Sequence, residues 1–382
     1  MKIYRVGGAV RDQLLEIPYR ETDWVVVGAT PEEMLVQGFK PADPRFPVFL
    51  HPQTGEEYAL ARKETKVAPG YKGFEVSCGP EVTLEDDLLR RDLTINALAM
   101  DEEGHLIDVC HGRRDLEDGL LRHVTSAFVE DPVRLLRIAR FAAKLGCWGF
   151  RVAHATQRLM QQMASAAELQ SLAPERVARE MRKAMGEPQP WRFFEVLLRC
   201  GALPGILPEL AELLPSQAPG HAVATDAWPL DSLKRAVTLK GNTDVRTAVV
   251  LFGVARKQAD MTAWLQSWHI DRSTGQLIQD LLAVDGLSRL LDKPEAFLGF
   301  IQKGRLHQQE QRYQDLISAA QALWPESEKV LMSRLDQACA VARAPTPGEL
   351  RSSGLSGKVL GDAIQAWRLA QLRQIWHNSG TE

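Results

Sequence analysis

Long apolar runs are absent from this chain of 382 residues, and no segment approaches the ~18 consecutive apolar residues that a membrane-spanning helix requires. The N-terminus, MKIYRVGGAVRD, has charges and two glycines where a secretory signal has an extended apolar stretch. Internal repeats and low-complexity tracts are also missing, so no repeat architecture is indicated. We therefore expect a globular protein that stays in the cytoplasm and has no contact with a membrane.

Cysteine is scarce, and the five cysteines are Cys78, Cys110, Cys147, Cys200 and Cys339. They are scattered, odd in number and never in a CxxC pair, which argues against both a disulfide framework and a zinc site. Basic residues show no excess, because 46 Lys and Arg stand against 49 Asp and Glu, for a formal net charge of -3. Any nucleic-acid binding must therefore come from local patches and not from the field of the whole protein.

The chain has an average soluble composition, with 45% hydrophobic and 25% charged residues, and its length predicts two or more domains. Short β-rich runs alternate with Gly/Pro turns at the start, which predicts a small α/β or α+β domain. After Leu120 the segments show helical periodicity. A Pro/Ser/Gly-rich break, LLPSQAPGHAVATDAWPLD, interrupts the helices. The predicted fold class is α+β, with a mixed-sheet head at 1–120 followed by helical regions at 121–212 and 213–382.

Two acidic residues stand at the start of the second β-rich run. Glu21 and Asp23 are two apart, so on a strand their carboxylates project from one face. Like charges this close repel unless a cation lies between them, and hard oxygen ligands suit Mg²⁺. The Gly7-Gly8 turn before the first helix lets backbone N–H groups approach phosphate oxygens. Each feature alone has a plain structural interpretation, as a turn or a solvated strand edge, but together they predict a site for a nucleoside triphosphate and its metal ions.

Four segments occur in a fixed order: GGAVRD, ETDWVVVG, LLRRDLTINALA and EDPVRLLRIARF. In this order and spacing they resemble the motifs of class II tRNA nucleotidyltransferases, the bacterial CCA-adding enzymes. The resemblance implies a polymerase-β-like nucleotidyltransferase head that adds C, C and A to the 3′ end of tRNA from CTP and ATP without a template and releases pyrophosphate. It also implies Mg²⁺ held by Glu21 and Asp23, although the family usually has Asp at the first position. Glu57 is a candidate for a third acidic position, and a surface glutamate is the alternative.

The resemblance also implies roles for two glycines and several charged residues of the head. Gly7, Gly8 and Arg11 would cradle phosphates. Arg91 and Asp92 would contact the triphosphate and the ribose, and hydrogen bonds to ribose hydroxyls would select ribonucleotides over deoxyribonucleotides. The alternative interpretation is that Arg91 and Asp92 are only charged residues at the start of a helix.

A predicted helix after Glu130 is the second half of the nucleotide site. At ~100° per residue, one face carries acids, arginines and two large apolar residues: Glu130, Asp131, Arg134, Arg137, Ile138, Arg140 and Phe141. A solvated salt-bridge face, the alternative, would not usually carry two large apolar groups. The resemblance implies that Asp131 and Arg134 read the base through its exocyclic amino group and ring acceptors. Arg137 and Arg140 would then hold phosphates.

Two further segments bear on the product and on additional activities. The basic, Gly/Pro-containing segment ARKETKVAPGYKGFEV predicts an irregular surface loop. The resemblance implies that a flexible loop here assists the change from CTP to ATP, which favours complete CCA addition. Farther on, Phe252-Gly253 stands where some relatives carry the His-Asp pair of a phosphohydrolase, and neither residue can ligate a cation, so that activity is not expected.

Basic residues in the helical regions are candidates for contact with tRNA. One predicted helix carries Arg176, Arg179, Arg182 and Lys183, for which solvated helix charges are an equally good explanation. Near the C-terminus, Lys358, Arg368 and Arg373 predict weak, sequence-independent contacts to the backbone of the tRNA elbow. No obligate protein partner is evident.

Three alternatives to a complete CCA-adding enzyme stay open at this point. A bacterial poly(A) polymerase resembles the same head, although such enzymes usually carry extended basic tails. A partial enzyme that adds only CC or only A would share the motifs. A catalytically silent tRNA-binding protein would keep the fold without the activity.

Overall fold

The computed structural model describes residues 1–19, 21–42, 46–68, 73–165, 169, 172–214, 229–324, 329–352 and 354–379. The chain divides into two compact units, the first formed by Met1–Ala211 and the second by the described residues from Glu212 onward. The first unit contains a mixed sheet and helices, and the described part of the second is helical. Most of the predicted Pro/Ser/Gly-rich break, at 215–228, lies outside the described residues.

The strands of the first unit are, in chain order, β1 (Lys2–Val6), β2 (Asp23–Val27), β3 (Lys40–Pro41), β4 (Val48–Leu50), β5 (Glu57–Leu60), β6 (Arg62–Lys66), β7 (Phe74–Cys78), β8 (Ala99–Met100), β9 (Leu106–Ile107), β10 (Leu120–Leu121) and β11 (Arg151–Val152). Seven of them form one sheet in the order β3-β4-β5-β2-β1-β8-β9. β2 lies at its centre, antiparallel to β1 and parallel to β5. Because β2 is the central strand, its first residue, Asp23, lies in the middle of one edge of the sheet.

In its described part, the first unit contains the helices α1 (Gly8–Leu14), α2 (Pro31–Val36), α3 (Leu84–Leu89), α4 (Gly112–Glu117), α5 (Val133–Leu145), α6 (His154–Ala164), α7 (Pro174–Met185), α8 (Trp191–Arg199), α9 (Leu203–Ile206) and α10 (Pro208–Ala211). Short 3₁₀ turns occupy Thr94–Asn96, Ser126–Glu130 and Gly146–Trp148.

Apolar side chains of β2 pack on both faces of the sheet. Val25 belongs to one core with Val6 and Leu88, while Val26 belongs to the other with Met34. The strand is held from both sides because alternate residues point in opposite directions. The packing of Val25 and Val26 therefore fixes the position of the strand that begins with Asp23.

The predicted irregular loop after β5 is largely wrong, because β6 and β7 pair as an antiparallel hairpin from Arg62↔Cys78 to Lys66↔Phe74. β6 contains no large apolar residue, so the usual alternation of apolar and polar residues is absent. Along one face of β6, residues two apart carry opposite charges instead, and Arg62 forms an ion pair with Glu64 at 2.9 Å. Residues 69–72, at the centre of the predicted loop, lie outside the described residues.

Helix α5 begins later than the sequence pattern predicts. Glu130 ends a 3₁₀ turn and Asp131 has extended backbone angles, φ -122° and ψ 105°. Pro132 explains the difference, because the residue before a proline is driven out of the helical region. The prediction that Glu130 and Asp131 belong to the helix is therefore wrong.

The second unit consists, in its described part, of α11 (Leu230–Thr238), α12 (Thr243–Ala255), α13 (Met261–Ser267), α14 (Arg272–Leu287), α15 (Pro294–Lys303), α16 (Glu310–Leu323), α17 (Lys329–Arg343), α18 (Gly348–Arg351) and α19 (Gly357–Ser379), with a 3₁₀ turn at Leu306–Gln308. Phe252 and Gly253 are buried inside α12. Among the described residues, none of the helices is both long and apolar enough to cross a bilayer.

Candidate active site

A cleft of about 1150 Å³ in the first unit is lined by all eleven residues predicted for the nucleotide site. These are Gly7, Gly8, Arg11, Glu21, Asp23, Arg91, Asp92, Asp131, Arg134, Arg137 and Arg140. The whole lining includes eleven basic and seven acidic side chains, a formal excess of four positive charges. A basic cleft in a chain of net charge -3 is the local patch that a polyanionic ligand requires.

Three carboxylates line the cleft at and near the start of β2. Asp23 begins β2 and Glu57 begins β5, and the parallel register places these two residues directly side by side. Glu21 lies two residues before Asp23. Burial raises the pKa of Asp23, Arg91 lowers it, and the charge of Glu21 raises it again. Adjacent carboxylates of this kind fit a hard divalent cation, which would remove their repulsion.

Gly7 forms the tight turn between β1 and α1. Its angles, φ 70° and ψ -129°, are accessible to glycine and very unfavourable for other residues. A Cβ at Gly7 would lie 2.8 Å from Arg91 Nη1, whereas one at Gly8 would lie 3.5 Å from Arg11 Nη2, an ordinary contact. The requirement for glycine is therefore strict at Gly7 and weak at Gly8.

Gly7→Ala is expected to destabilise the fold by about 1–3 kcal/mol and to weaken binding of a nucleoside triphosphate, the ligand that the sequence predicts, because the new Cβ displaces Arg91. Gly28→Ala is the matched control, since Gly28 has φ +75° but open space where its Cβ would stand. We expect the control to lose stability and keep nucleotide affinity. Thermal unfolding and calorimetric titration measure the two effects, and unchanged nucleotide affinity in Gly7→Ala would refute the role given to the Arg91 contact.

Arg11 and Asp12 form a buried pair at the start of α1, with residue exposures of 2% and 4%. Arg11 Nη2 lies 2.7 Å from Asp12 Oδ1, and Lys144 of α5 donates to Asp12 Oδ2 at 2.8 Å. Arg11 also donates to the side-chain oxygen of Asn96. These bonds hold the Arg11 guanidinium in a fixed orientation at the cleft wall.

Asp92 is buried and accepts hydrogen bonds on both carboxylate oxygens. Arg137 Nε donates to one oxygen at 2.6 Å, and the Leu93 N–H and the Asn96 amide donate to the other. Burial alone would raise the pKa of Asp92, but the Arg137 charge and these hydrogen bonds lower it to about 2. Asp92 is thus ionised, and one of its oxygens orients Arg137.

Asp87 on α3 anchors Arg91 and a further basic residue that the sequence pattern did not single out. Its carboxylate is 2.6 Å from Arg90 and 3.0 Å from Arg91. Arg90 also contacts Glu64 of β6 at 2.9 Å, and Glu64 contacts Arg62. Arg62, Glu64 and Arg90 all line the cleft, and only long-range packing of the hairpin brings them there.

Asp131 and Arg134 flank the start of α5. Both oxygens of Asp131 lie 3.4 Å from the Arg176 guanidinium of α7. Arg134 donates to the carbonyl of Ala127 at 3.2 Å and to that of Arg90 at 2.9 Å. A guanidinium has five N–H donors, so these two bonds orient Arg134 without exhausting its donors.

Arg137, Arg140 and Phe141 share the face of α5 that lines the cleft. Arg140 Nε pairs with Glu180 of α7 at 2.7 Å. Ile138, predicted for the same face, is fully buried and is not part of the lining, so that prediction is wrong. At ~100° per residue Ile138 lies about 40° beyond Arg134 around the helix, which turns its side chain into the core.

Helix α7 contributes cleft residues that were predicted only for contact with tRNA. Arg176, Arg179 and Lys183 line the cleft, while Arg182 is not among the lining residues. Spacings of three and four place these three on one helix face. Lys144 lies four residues after Arg140 on the cleft face of α5, so the same helical periodicity is the signal for it.

Comparisons with known proteins agree with this geometry. A family model described as "Poly A polymerase head domain" matches residues 3–122, and one described as "Probable RNA and SrmB- binding site of polymerase A" matches residues 149–214. A CCA-adding enzyme of Pseudomonas putida (strain W619) is 44% identical, over 99% of this chain and 100% of its own. This chain belongs to the CCA-adding enzyme family.

Other members of the CCA-adding enzyme family give the same result. The multifunctional CCA protein of Thioalkalivibrio sulfidiphilus (strain HL-EbGR7) is 42% identical over 98% of both chains. A solved complex of a CCA-adding enzyme with ATP matches with a TM-score of 0.66 at 22% identity, covering 97% of this chain and 86% of that one. The predicted family and the predicted α+β class, a nucleotidyltransferase head followed by helices, are confirmed.

Proposed function

We propose that this protein adds C, C and A in turn to the 3′ end of tRNA, taking them from CTP and ATP without a template and releasing pyrophosphate. The observation that carries this proposal is the cleft in which the carboxylates of Glu21, Asp23 and Glu57 occur together with an excess of arginine and lysine. Carboxylates suit metal ions and guanidinium groups suit phosphates, so the lining matches a nucleoside triphosphate and its cations.

The reaction is a displacement at the α-phosphate of the incoming nucleotide. The tRNA 3′-hydroxyl forms a bond to the α-phosphorus and loses its proton, while the bond to the β-phosphate oxygen breaks and pyrophosphate leaves. Glu21, Asp23 and Glu57 would hold Mg²⁺, which supplies charge neutralisation and activation of the hydroxyl. The protein contributes positioning and electrostatics, the main demands of phosphoryl-type transfer.

Phosphate binding is assigned to the residues already held in place around the cleft. Gly7 and Gly8 leave room for close backbone approach, and Arg91 stands beside Gly7. The remaining cations assigned to the triphosphate are Arg11, Arg137 and Arg140. Asp92 orients Arg137 at 2.6 Å and is assigned to the ribose side of the same site.

Base selection is assigned to Asp131 and Arg134. A carboxylate accepts from the exocyclic amino group that cytosine and adenine share, and a guanidinium donates to their ring acceptors. Guanine and uracil present the reverse pattern and should be rejected. Contacts of Asp131 with Arg176, and of Arg134 with two carbonyl groups, support this assignment because they pre-orient both groups.

Asp131→Asn and Arg134→Gln are expected to reduce discrimination against UTP and GTP by about 10- to 100-fold, since a paired base contact is worth about 1–3 kcal/mol. The measurement compares kcat/KM for the four nucleotides on tRNA ending before C and after CC. Arg113→Gln is the control, because Arg113 forms an exposed pair with Glu117 outside the cleft. Unchanged selectivity in both variants would remove this pair from base reading.

We assign residues 1–120 to the nucleotidyltransferase head, 121–212 to a nucleotide-selecting neck, and 213–382 to a body and tail that bind tRNA. Lys358, Arg368 and Arg373 on α19 are assigned to weak contacts with the tRNA elbow. A tRNA substrate makes the cytoplasm the expected location.

Three tRNA substrates test this function against its alternatives. The protein is incubated with Mg²⁺ and labelled CTP or ATP, and with tRNA ending before C, after C or after CC. We expect CTP to extend the first two and ATP the third. A partial enzyme would fail on part of this set, a poly(A) polymerase would extend all three with ATP, and a silent binding protein would extend none.

A further inference from the structure

The ring of Phe141 lies among three arginines at the wall of the cleft. The guanidinium carbons of Arg140, Arg11 and Arg137 are 4.6, 5.2 and 5.9 Å from the ring centroid. The three arginines come from two separate elements, since Arg11 is on α1 and the other two are on α5. Phe141 is therefore the common neighbour of every cation that the proposed function assigns to phosphates on these two helices.

Three guanidinium groups around one side chain repel one another, and each is balanced on one side by a carboxylate. Arg11 pairs with Asp12, and Arg137 pairs with Asp92. Arg140 pairs with Glu180 at 2.7 Å. The ring offers the electron-rich surface that attracts a cation, and this attraction is stronger where water is excluded.

Stacking of the nucleotide base on Phe141 does not fit these contacts. The residue is 6% exposed, and an aromatic ring has only two faces for the three guanidinium groups that lie within 6 Å. The ring is therefore committed to the arginines and not to the base.

We propose that Phe141 is a positioning residue that converges Arg11, Arg137 and Arg140 on the triphosphate of the incoming nucleotide. The proposal rests on the proposed function for its ligand and adds a residue to that site. A phosphate chain needs several cations at one place, and an aromatic ring gathers them without neutralising them as a carboxylate does. Phe141 touches the arginines and not the substrate, so it acts through them.

Progressive fluorination tests the role of the ring, because fluorine withdraws electron density with little change in shape. Mono-, di- and trifluorophenylalanine are incorporated at position 141 of the full-length protein, and binding of inorganic tripolyphosphate is measured by calorimetry. We expect the affinity to fall stepwise with each fluorine, by about tenfold over the series, the order expected when desolvated cation–π contacts are weakened. A residue that only fills space would give a flat series.

Phe141→Leu and Phe193→Leu form the matched pair of ordinary variants. Phe193 on α8 is fully buried and packs edge-on against Phe194 at 5.3 Å, away from the cleft lining. Both variants should lower the melting temperature, but only Phe141→Leu should also weaken tripolyphosphate binding and raise KM for CTP and ATP. Equal tripolyphosphate affinity in the wild type and throughout the fluorinated series would overturn the proposal, whatever Phe141→Leu does. A stepwise series in a protein that adds no nucleotide to tRNA would uphold the positioning role and refute the proposed function instead.

Discussion

Asp23→Ala is expected to abolish incorporation of CTP and ATP into tRNA, with a loss of about 10³-fold or more, because metal ions supply several kcal/mol of transition-state stabilisation. Asp23 is the first residue of the central strand β2 and lies directly beside Glu57 of β5. Removal of the Asp23 carboxylate leaves only Glu21 and Glu57 of the three proposed Mg²⁺ ligands. Binding of tRNA depends on other residues and should stay close to the wild-type value.

Stability separates this catalytic effect from misfolding. Burial raises the pKa of Asp23, so the ionised carboxylate costs stability at neutral pH when no cation is bound. Asp23→Ala should therefore unfold at the same or a higher temperature than the wild type in the absence of Mg²⁺. Glu102→Gln, at an exposed glutamate outside the cleft, is the control and should keep full activity. Single-turnover incorporation at wild-type rates in Asp23→Ala would refute the metal assignment.

Asp92→Asn is expected to destabilise the first unit by about 1–3 kcal/mol, because the Asp92 side chain is 5% exposed whereas that of Arg137, 38% exposed, keeps part of its hydration. Asparagine keeps the shape of Asp92, so the loss comes from the weaker pairing with Arg137, which is 2.6 Å away. Since Arg137 is assigned to the triphosphate, affinity for CTP and ATP should fall as well. Denaturant unfolding and calorimetric titration measure the two losses.

The pH dependence of stability is a separate signature of Asp92. Its pKa is about 2 in the folded protein against an ordinary 3.8, so the unfolded chain takes up a proton first as the pH falls. The stabilisation is complete above pH 3.8 and is lost as the pH falls towards 2, by about 2 kcal/mol in total. Asp92→Asn should lack this part of the acid sensitivity when unfolding is followed between pH 5 and pH 2.

Asp280→Asn provides the matched control for Asp92. Asp280 is a buried carboxylate of the second unit that binds Arg312 through both oxygens, at 2.8 and 2.9 Å. We expect Asp280→Asn to lower stability without changing the affinity for CTP or ATP. If Asp92→Asn kept wild-type stability and nucleotide affinity, the buried pair with Arg137 would have neither of the roles given to it.

Local patterns in the sequence were sufficient to predict much of the head. Alternation along β2 predicted that neighbouring residues point to opposite faces, and Val25 and Val26 do belong to two different cores. The prediction that the strand begins at Glu21 is wrong, because β2 begins at Asp23 and Glu21 precedes it. The position of Glu57 could not be predicted in this way. It depends on parallel pairing of β2 with β5, and strand register between distant segments is not encoded in either segment alone.

Ion pairs between distant segments are the main part of the site that the sequence did not reveal. Asp131 and Arg176 are separated by 45 residues, as are Asp92 and Arg137. Helical spacing could have assigned Lys144 to the cleft face of α5, but only tertiary packing decides which carboxylate each cation meets. The sequence pattern alone therefore predicts a cluster of arginines but not how each one is oriented.

The sequence of the 3′ end that the protein builds is the most direct test of the proposed function. The wild-type protein is incubated with Mg²⁺, all four nucleoside triphosphates and tRNA lacking its last three nucleotides, and the 3′ ends are then sequenced. We predict a product that ends in CCA and is not extended further. A homopolymeric A tail, a 3′ end that contains added U or G, or an unextended tRNA would contradict the proposal. The proposal is that this arginine-rich cleft selects CTP and ATP in the place of a template.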